Sequence, residues 1–389
     1  MYETAMPRVR TTPFLLGSAL WLLSSLALLS AARAEEPAPA PESTSEKAAS
    51  LLEKFTIHGY LSQAYAISDG NQIVGIPEKG TTDYRTAALQ MRVQISPKDI
   101  FAVQINHERI GKSRVQTVHD DLELDWMFYE HRFGNSAVKV GRLPIPFGIY
   151  NEIRDVGTLL PFYRPARPLY EETSFATETI DGILLNHGFE LAEGWHLDAD
   201  VHYGFWETYD GSLRLIEAEN SAGLELWLST PIEGLRFSTG GLLYDTSTAT
   251  ATGGTARAHR QLSHFSLDGE FEHFKIQVEV KRDTSQPTTG GRGTGVWGGY
   301  AYLGVPLTEK LTANAQYDFL DVKLPATEKA SNRDKAIGLS YRFRPTLVAK
   351  AEYHWESGFR ADDNRPLIPG RPVIESKTQF GILSLALSF

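Results

Sequence analysis

The alternation of apolar and polar residues constrains the fold of this chain more than any other feature of its sequence. It begins at Phe55 and recurs to the last residue. In "LTANAQYDFL", residues 311–320, and in "LVAKAEYHWE", residues 347–356, the odd-numbered residues are all apolar or aromatic. Successive side chains of a β-strand point to opposite faces, so this pattern predicts strands with one apolar face.

The spacing divides the chain from residue 55 onward into about sixteen such segments. Short turns such as "SPKD" and "FGNS" alternate with long polar loops. Strands of about 10 residues in an even number, joined by alternately short and long connections, are typical of a membrane barrel. The predicted fold class is all-β, a transmembrane antiparallel up-and-down β-barrel. Its predicted strands are 55–66, 84–96, 100–110, 120–133, 136–143, 180–190, 195–206, 220–230, 235–245, 262–272, 274–283, 294–305, 309–320, 333–344, 346–357 and 376–389.

A soluble sandwich would show the same alternation, so the character of the two faces has to decide. Aromatic residues cluster toward the ends of the apolar faces, as with Trp126 and Phe128 or Tyr353 and Trp355, which fits two girdles around a lipid-facing band. The other faces carry more charge than a packed interior tolerates, and a barrel of this size leaves an aqueous lumen. The predicted lumen wall comprises Arg92, Glu123, Asp125, Lys139, Asp198, Asp200, Asp268, Glu270, Arg342 and Lys350.

The N-terminus predicts export. Arg8 and Arg10 precede an apolar run that ends in "ARA" at 32–34, the pattern of a cleaved signal peptide over residues 1–34. A transmembrane anchor is the alternative, but the run is short and is followed by acidic, proline-rich sequence. Residues 35–54 are expected to form a flexible periplasmic linker, and residues 55–389 the barrel. Met6 is an alternative start.

Composition excludes several classes of function. The formal net charge is −10, which argues against nucleic acid as a partner. The chain contains no cysteine, so disulfides, thiol catalysis and cysteine metal sites are excluded. No catalytic signature such as "GxSxG" or "HExxH" occurs. We therefore expect neither an enzyme nor a cofactor.

The longest predicted outer loop, residues 144–179, is also the third in chain order. Pro144 and Pro146 at its start cannot donate strand hydrogen bonds, and Gly148 permits a sharp change of chain direction. Three further prolines stiffen the loop, and arginines and carboxylates provide ionic partners. A loop that only covered the outside would need neither feature.

Two stretches resemble known outer-membrane proteins. The ending "FGILSLALSF" resembles the C-terminal strand of Gram-negative outer-membrane porins, whose terminal aromatic residue is read by the barrel-assembly machinery, which implies that Phe389 is an assembly signal. The stretch "KVGRLPIPFGIYNE", residues 139–152, is loosely similar to the strand-to-loop segment of the phosphate-selective porin family. This chain lacks the run of basic residues that anion capture needs, so a phosphate preference is not expected.

The resemblance to porins also implies a role for the long loop. In sixteen-stranded porins the third loop folds into the lumen and narrows the pore. The same family resemblance implies a homotrimer in the outer-membrane lipid that passes small hydrophilic solutes or ions by passive diffusion. The pore constriction expected on this basis comprises Arg142, Glu152, Arg154, Asp155, Arg164, Arg167, Glu171 and Glu172.

Other interpretations stay open at this point. The row His196, Asp198, Asp200 and His202 could bind a divalent ion, but residues two apart on a strand lie about 7 Å apart, too far for a tight chelate without a third element. A wet polar row is the simpler interpretation. A surface receptor or adhesin with the barrel as its anchor, or a barrel hydrolase, are the alternative functions.

Overall fold

A computed structural model of the chain describes residues 53–117, 122–171, 178–209, 214–250, 253–324, 329–367 and 371–389. The predicted signal peptide and the linker up to residue 52 lie outside these residues. Within these ranges, no helix is long and apolar enough to cross a membrane.

The prediction of a closed antiparallel barrel of sixteen strands is confirmed. Each strand pairs with its neighbours in sequence, and β1 closes the barrel by pairing with β16. The strands are β1 (Phe55–Asp69), β2 (Thr81–Gln94), β3 (Asp99–Ile110), β4 (Glu123–Phe133), β5 (Ser136–Pro144), β6 (Thr179–Ala192), β7 (Trp195–Tyr209), β8 (Leu215–Ser229), β9 (Leu235–Ala249), β10 (Thr255–Glu270), β11 (Lys275–Pro287), β12 (Thr294–Pro306), β13 (Leu311–Lys323), β14 (Lys329–Arg344), β15 (Leu347–Gly358) and β16 (Ser376–Ser388).

The outer face of the barrel is apolar. Large apolar side chains on this face, among them Val201, Ile337 and Leu383, are between 51% and 60% exposed. Their neighbours on the inner face, such as His202 and Ile382, are buried. A continuous apolar outer surface of this kind is stable in contact with lipid and not with water.

The prediction that Trp126 and Phe128 lie on the outer face is wrong. Trp126 and Phe128 face the inside, because a β-bulge interrupts the pairing of β3 with β4. Gln104 pairs with Trp126 while the next residue, Ile105, pairs with Leu124, which leaves Asp125 as the extra residue. Asp125 and Trp126 are consequently both buried on the inner face.

The last residue takes part in closing the barrel. The N–H of Phe389 donates to the carbonyl of Gly59 and its carbonyl accepts from the N–H of Gly59, both at 3.0 Å. The phenyl ring covers Gly59 so closely that a Cβ there would lie 2.1 Å from a ring carbon. The ring itself is 67% exposed on the outer face. Its role as an assembly signal stays a prediction.

Candidate pore constriction

Residues 145–171 of the third outer loop contact inward-facing side chains on many strands of the barrel. The loop includes a 3₁₀ helix, Asn151–Ile153, and a single helical turn, α1 (Arg167–Tyr170). Its buried apolar residues pack in one cluster with wall residues from β6, β7, β8, β9, β10, β12 and β14. The loop residues of this cluster are Ile145, Phe147, Tyr150, Leu160, Phe162, Ala166, Leu169 and Tyr170.

The start of the loop is fixed on β11 by the carboxylate of Glu279. This buried carboxylate accepts hydrogen bonds from the hydroxyls of Tyr170, Tyr300 and Ser266 and from the N–H of Ile149. Four donors satisfy a carboxylate that would otherwise be costly to bury.

Gly148 is required at this anchor for two reasons. Its φ of +61° lies in the left-handed region that favours glycine. A Cβ at this position would also lie 2.5 Å from an oxygen of Glu279 and 2.5 Å from the Tyr170 hydroxyl.

The far part of the loop is fixed on β15, four strands from β11 in the closed barrel. The buried Lys350 Nζ donates to the carbonyls of Gly157 at 2.6 Å and of Phe162 at 2.7 Å. Two residues further along the same inward face, Glu352 accepts from the N–H of Tyr163 at 2.9 Å. The loop is therefore bound to two separate parts of the barrel wall.

An ionic cluster holds the turn α1. Arg167 donates from Nη1 to both carboxylate oxygens of Glu356 at 2.7 Å, and from Nη2 to Glu171 at 3.1 Å. Arg360, just beyond β15, also bonds Glu171. Burial disfavours the ionised form of Glu171, but Arg167 and Arg360 outweigh burial and lower its pKa to about 2. The Glu171 carboxylate is therefore ionised near neutral pH.

A cavity of about 210 Å³ lies between the loop and the wall formed by β1 to β5. Three carboxylates around it, those of Asp125, Asp155 and Glu178, have oxygens within 4.8 Å of one another. Gln104 joins two of them, donating to Asp125 at 2.5 Å and to Asp155 at 2.9 Å. The cavity is lined by Tyr60, Gln90, Gln104, Trp126, Pro144, Asn151, Glu152, Ile153, Arg154, Asp155, Val156 and Glu178.

The residues predicted to form the constriction fall into three groups. Glu152, Arg154 and Asp155 line this cavity together. Arg167 and Glu171 belong to the ionic cluster. Arg164 pairs with Glu108 on the inner face of β3 at 3.1 Å. Glu172 lies outside the described residues.

Arg142 does not join the constriction. It lies on the outward face of β5, where its guanidinium donates to both oxygens of Asp181 on β6 at 3.0 and 3.1 Å. The physical reason is the strand period: Leu143 faces inward and is fully buried, so its neighbour Arg142 faces outward.

The structure places the predicted lumen wall on the inward face of each strand. Two of its ten residues have functions in packing that the sequence did not indicate: Lys350 binds the loop, and Lys139 lies over the Phe128 ring at 5.5 Å. The row on β7 is polar as predicted, with His196 against Asp198 at 3.1 Å and Asn186 donating to Asp200 at 3.0 Å. Among the described residues, only Asp125, Asp155 and Glu178 approach one another closely enough for a shared metal ion.

One buried array has the order of a catalytic triad. Ser266 Oγ lies 3.5 Å from His264 Nδ1, and His264 Nε2 lies 2.5 Å from Glu225. The serine hydroxyl, however, donates to Glu279 at 2.6 Å, and Ser266 is fully buried under the loop residue Phe147 and its neighbours. A substrate has no access to this serine, so the array serves packing of the wall.

No protein-family model matches the chain, and no curated protein matches it in sequence. Among solved structures, OmpT, an outer membrane protein of Vibrio cholerae, is 12% identical with a TM-score of 0.57 over 86% of this chain and 97% of that chain. An anion-selective porin from Comamonas acidovorans is 11% identical, with a TM-score of 0.56 over 86% and 99%. OmpF of Salmonella typhi is 10% identical, with a TM-score of 0.55 over 86% and 97%.

These similarities concern the fold, because the sequence identities are low. Together with the closed barrel of sixteen strands, they define the class by its fold: the chain is a porin-like β-barrel.

Proposed function

We propose that this protein is an outer-membrane porin, a water-filled channel through which small hydrophilic solutes or ions diffuse passively. The observation that carries the proposal is the third loop, which is bonded to β11 through Glu279 and to β3, eight strands away in the closed barrel, through Glu108, and which leaves a cavity lined by polar and charged groups at its edge. A surface anchor would not need a long loop bonded across its interior. The driving force is the gradient of the solute itself, so no cofactor is required.

Single-channel recording tests this proposal. Protein purified from the outer membrane and added to a planar lipid bilayer should give stable ohmic conductance steps. The same preparation after heat unfolding is the control, because it retains every contaminant of low molecular weight but loses the barrel. An intact barrel without such steps would contradict a channel and would favour an anchor or a hydrolase.

The proposal includes a homotrimer, the state of one similar structure, the trimer form of the Vibrio cholerae OmpT. Support comes from the outward face of β2 and β3, where Asp83 pairs with Arg85 at 2.8 Å and with Arg109 at 2.7 Å. Charged groups on the outer face of a barrel are costly against lipid, and a neighbouring subunit would cover them at lower cost. Beside them lies an apolar depression on the outer surface, lined by residues that include Leu339, Ala349, Ala351, Leu383 and Leu385.

A trimer should be visible in the same recordings. High voltage should close a single inserted unit in three equal steps, since each subunit carries its own pore. One closing step per inserted unit would contradict the trimer and leave the channel proposal standing. The terminal Phe389 is proposed to be read by the barrel-assembly machinery.

A further inference from the structure

The cavity beside the third loop carries more negative than positive charge. Glu152 lines this cavity and is exposed, whereas the other described loop residues except Leu159 are buried or half-buried. Asp155 and Glu178 line the same cavity, and Asp125 lies within 4.8 Å of both. The free space at the constriction is thus surrounded by four carboxylates.

The positive charges on the other side of the barrel are used to hold the loop. Lys350 donates to the carbonyls of Gly157 and Phe162, and Lys281 donates to that of Leu169 at 3.3 Å. Both lysines are buried. Arg167 and Arg360 lie within the ionic cluster around Glu171 and Glu356. These cations therefore do not face the cavity.

Two cations lie near the carboxylates. Arg154 donates to Glu178 at 3.2 Å and to the carbonyl of Tyr170, and Lys139 lies over the Phe128 ring. The carboxylates of Asp125 and Asp155 share the side-chain amide of Gln104 as a hydrogen-bond donor. Four carboxylates against these two cations leave the charge around the cavity negative.

Asn151 gives a second, independent indication. It lines the same cavity, is 1% exposed, and donates its amide hydrogens to the carbonyls of Ile145 and Glu178. The remaining atom, Oδ1, is buried and has no hydrogen-bond partner among the residues that the structure describes. A buried oxygen without a donor is expected to be satisfied by a cation, a donor solute or water.

We infer that the constriction selects cations over anions, with the Glu152 carboxylate as the exposed group that a passing ion meets. This inference rests on the proposed porin function and names the class of solute, small hydrophilic cations. An acidic constriction lowers the energy of a cation and raises that of an anion in a narrow space where water screens charge less than in bulk.

The absence of cysteine makes Glu152→Cys a single-thiol variant and allows a sharp test. In a KCl gradient, the sign of the reversal potential of the wild-type channel should show that K⁺ is more permeant than Cl⁻. Glu152→Cys should lower the ratio of K⁺ to Cl⁻ permeability about two- to fivefold, because one charge a few ångströms from the ion is lost. A thiol reagent that adds a sulfonate should restore the ratio, and one that adds a trimethylammonium group should lower it further.

Glu193→Cys is the matched control, since Glu193 is exposed in the turn between β6 and β7, outside the lumen. Its reversal potential should match the wild type before and after either reagent. An open wild-type channel that prefers Cl⁻, or a Glu152→Cys channel insensitive to both reagents, would overturn the inference and leave the channel proposal intact. Failure to find any channel would instead refute the porin proposal.

Discussion

Removal of residues 157–170 from the third loop should raise single-channel conductance about twofold or more, because it clears the segment that crosses the lumen. The deleted segment carries the backbone groups bonded by Lys350 and Glu352 and the side chain bonded by Glu356. These wall residues would then face water in the widened lumen, where charge is tolerated. The barrel itself should persist, since its strands pair with one another and not through the loop.

A deletion of residues 288–292 is the control, because it shortens the outer loop between β11 and β12 by a stretch that contains two consecutive glycines. Its conductance should equal that of the wild type. If both deletions leave conductance unchanged while the chain still forms a heat-modifiable barrel, the third loop does not limit the pore. A milder variant, Lys350→Met, should give an intermediate result with frequent current fluctuations, since the loop loses two hydrogen bonds but keeps its other anchors.

A variant with reversed charge at Arg167 would not measure ion selectivity alone, because of the contacts that Arg167 makes. On the sequence, Arg164 and Arg167 are both candidates for pore-facing charges. In the structure, Arg167 is bound by Glu356 and Glu171. Reversing its charge would place three carboxylates together and displace α1, so the measured change would mix selectivity with loop release. Glu152 reports selectivity more directly, because it faces the cavity and bears none of the anchoring contacts described above.

The strands could be predicted from the sequence because every strand of a membrane barrel alternates outward apolar residues with inward polar ones. Alternation alone placed β5 at 136–143 and β12 at 294–305, against Ser136–Pro144 and Thr294–Pro306 in the structure. The same alternation within β5 would have placed Arg142 outward, since Val140, two residues earlier, is an outward apolar residue. Arg142 lies within the predicted strand 136–143, so its assignment to the constriction overlooked the alternation and did not come from a wrong strand boundary.

The bulge at Asp125 could not be predicted in this way. An extra residue in one strand moves every following residue of that strand to the opposite face of the sheet. The sequence "LDWMF" gives no sign of where the extra residue lies. The anchors of the loop were also missed. The alternation of faces along β11 and β15 places Glu279 and Glu356 on the inner wall. It does not indicate which loop residues contact them, because that depends on how the loop folds across the lumen.

Arginine at Ala315 should destabilise the barrel by about 2 to 4 kcal/mol, the cost of a cation near the bilayer midplane on the lipid face. Ala315 is exposed on the outward face near the middle of β13. The adjacent Gln316 faces inward and donates to Asp318 at 2.9 Å. Gln316→Arg should therefore be nearly neutral, since the arginine lies in the lumen beside a carboxylate.

The pair of variants separates a membrane barrel from a soluble one, because the two residues are neighbours in sequence and differ only in the face they occupy. Unfolding by urea from lipid vesicles, followed by tryptophan fluorescence, measures both free energies against the wild type. Equal losses at the two positions would mean that the outward face does not meet lipid. A loss confined to Gln316→Arg would mean that the inner face is the dry one, and the porin-like assignment of the faces would then be wrong.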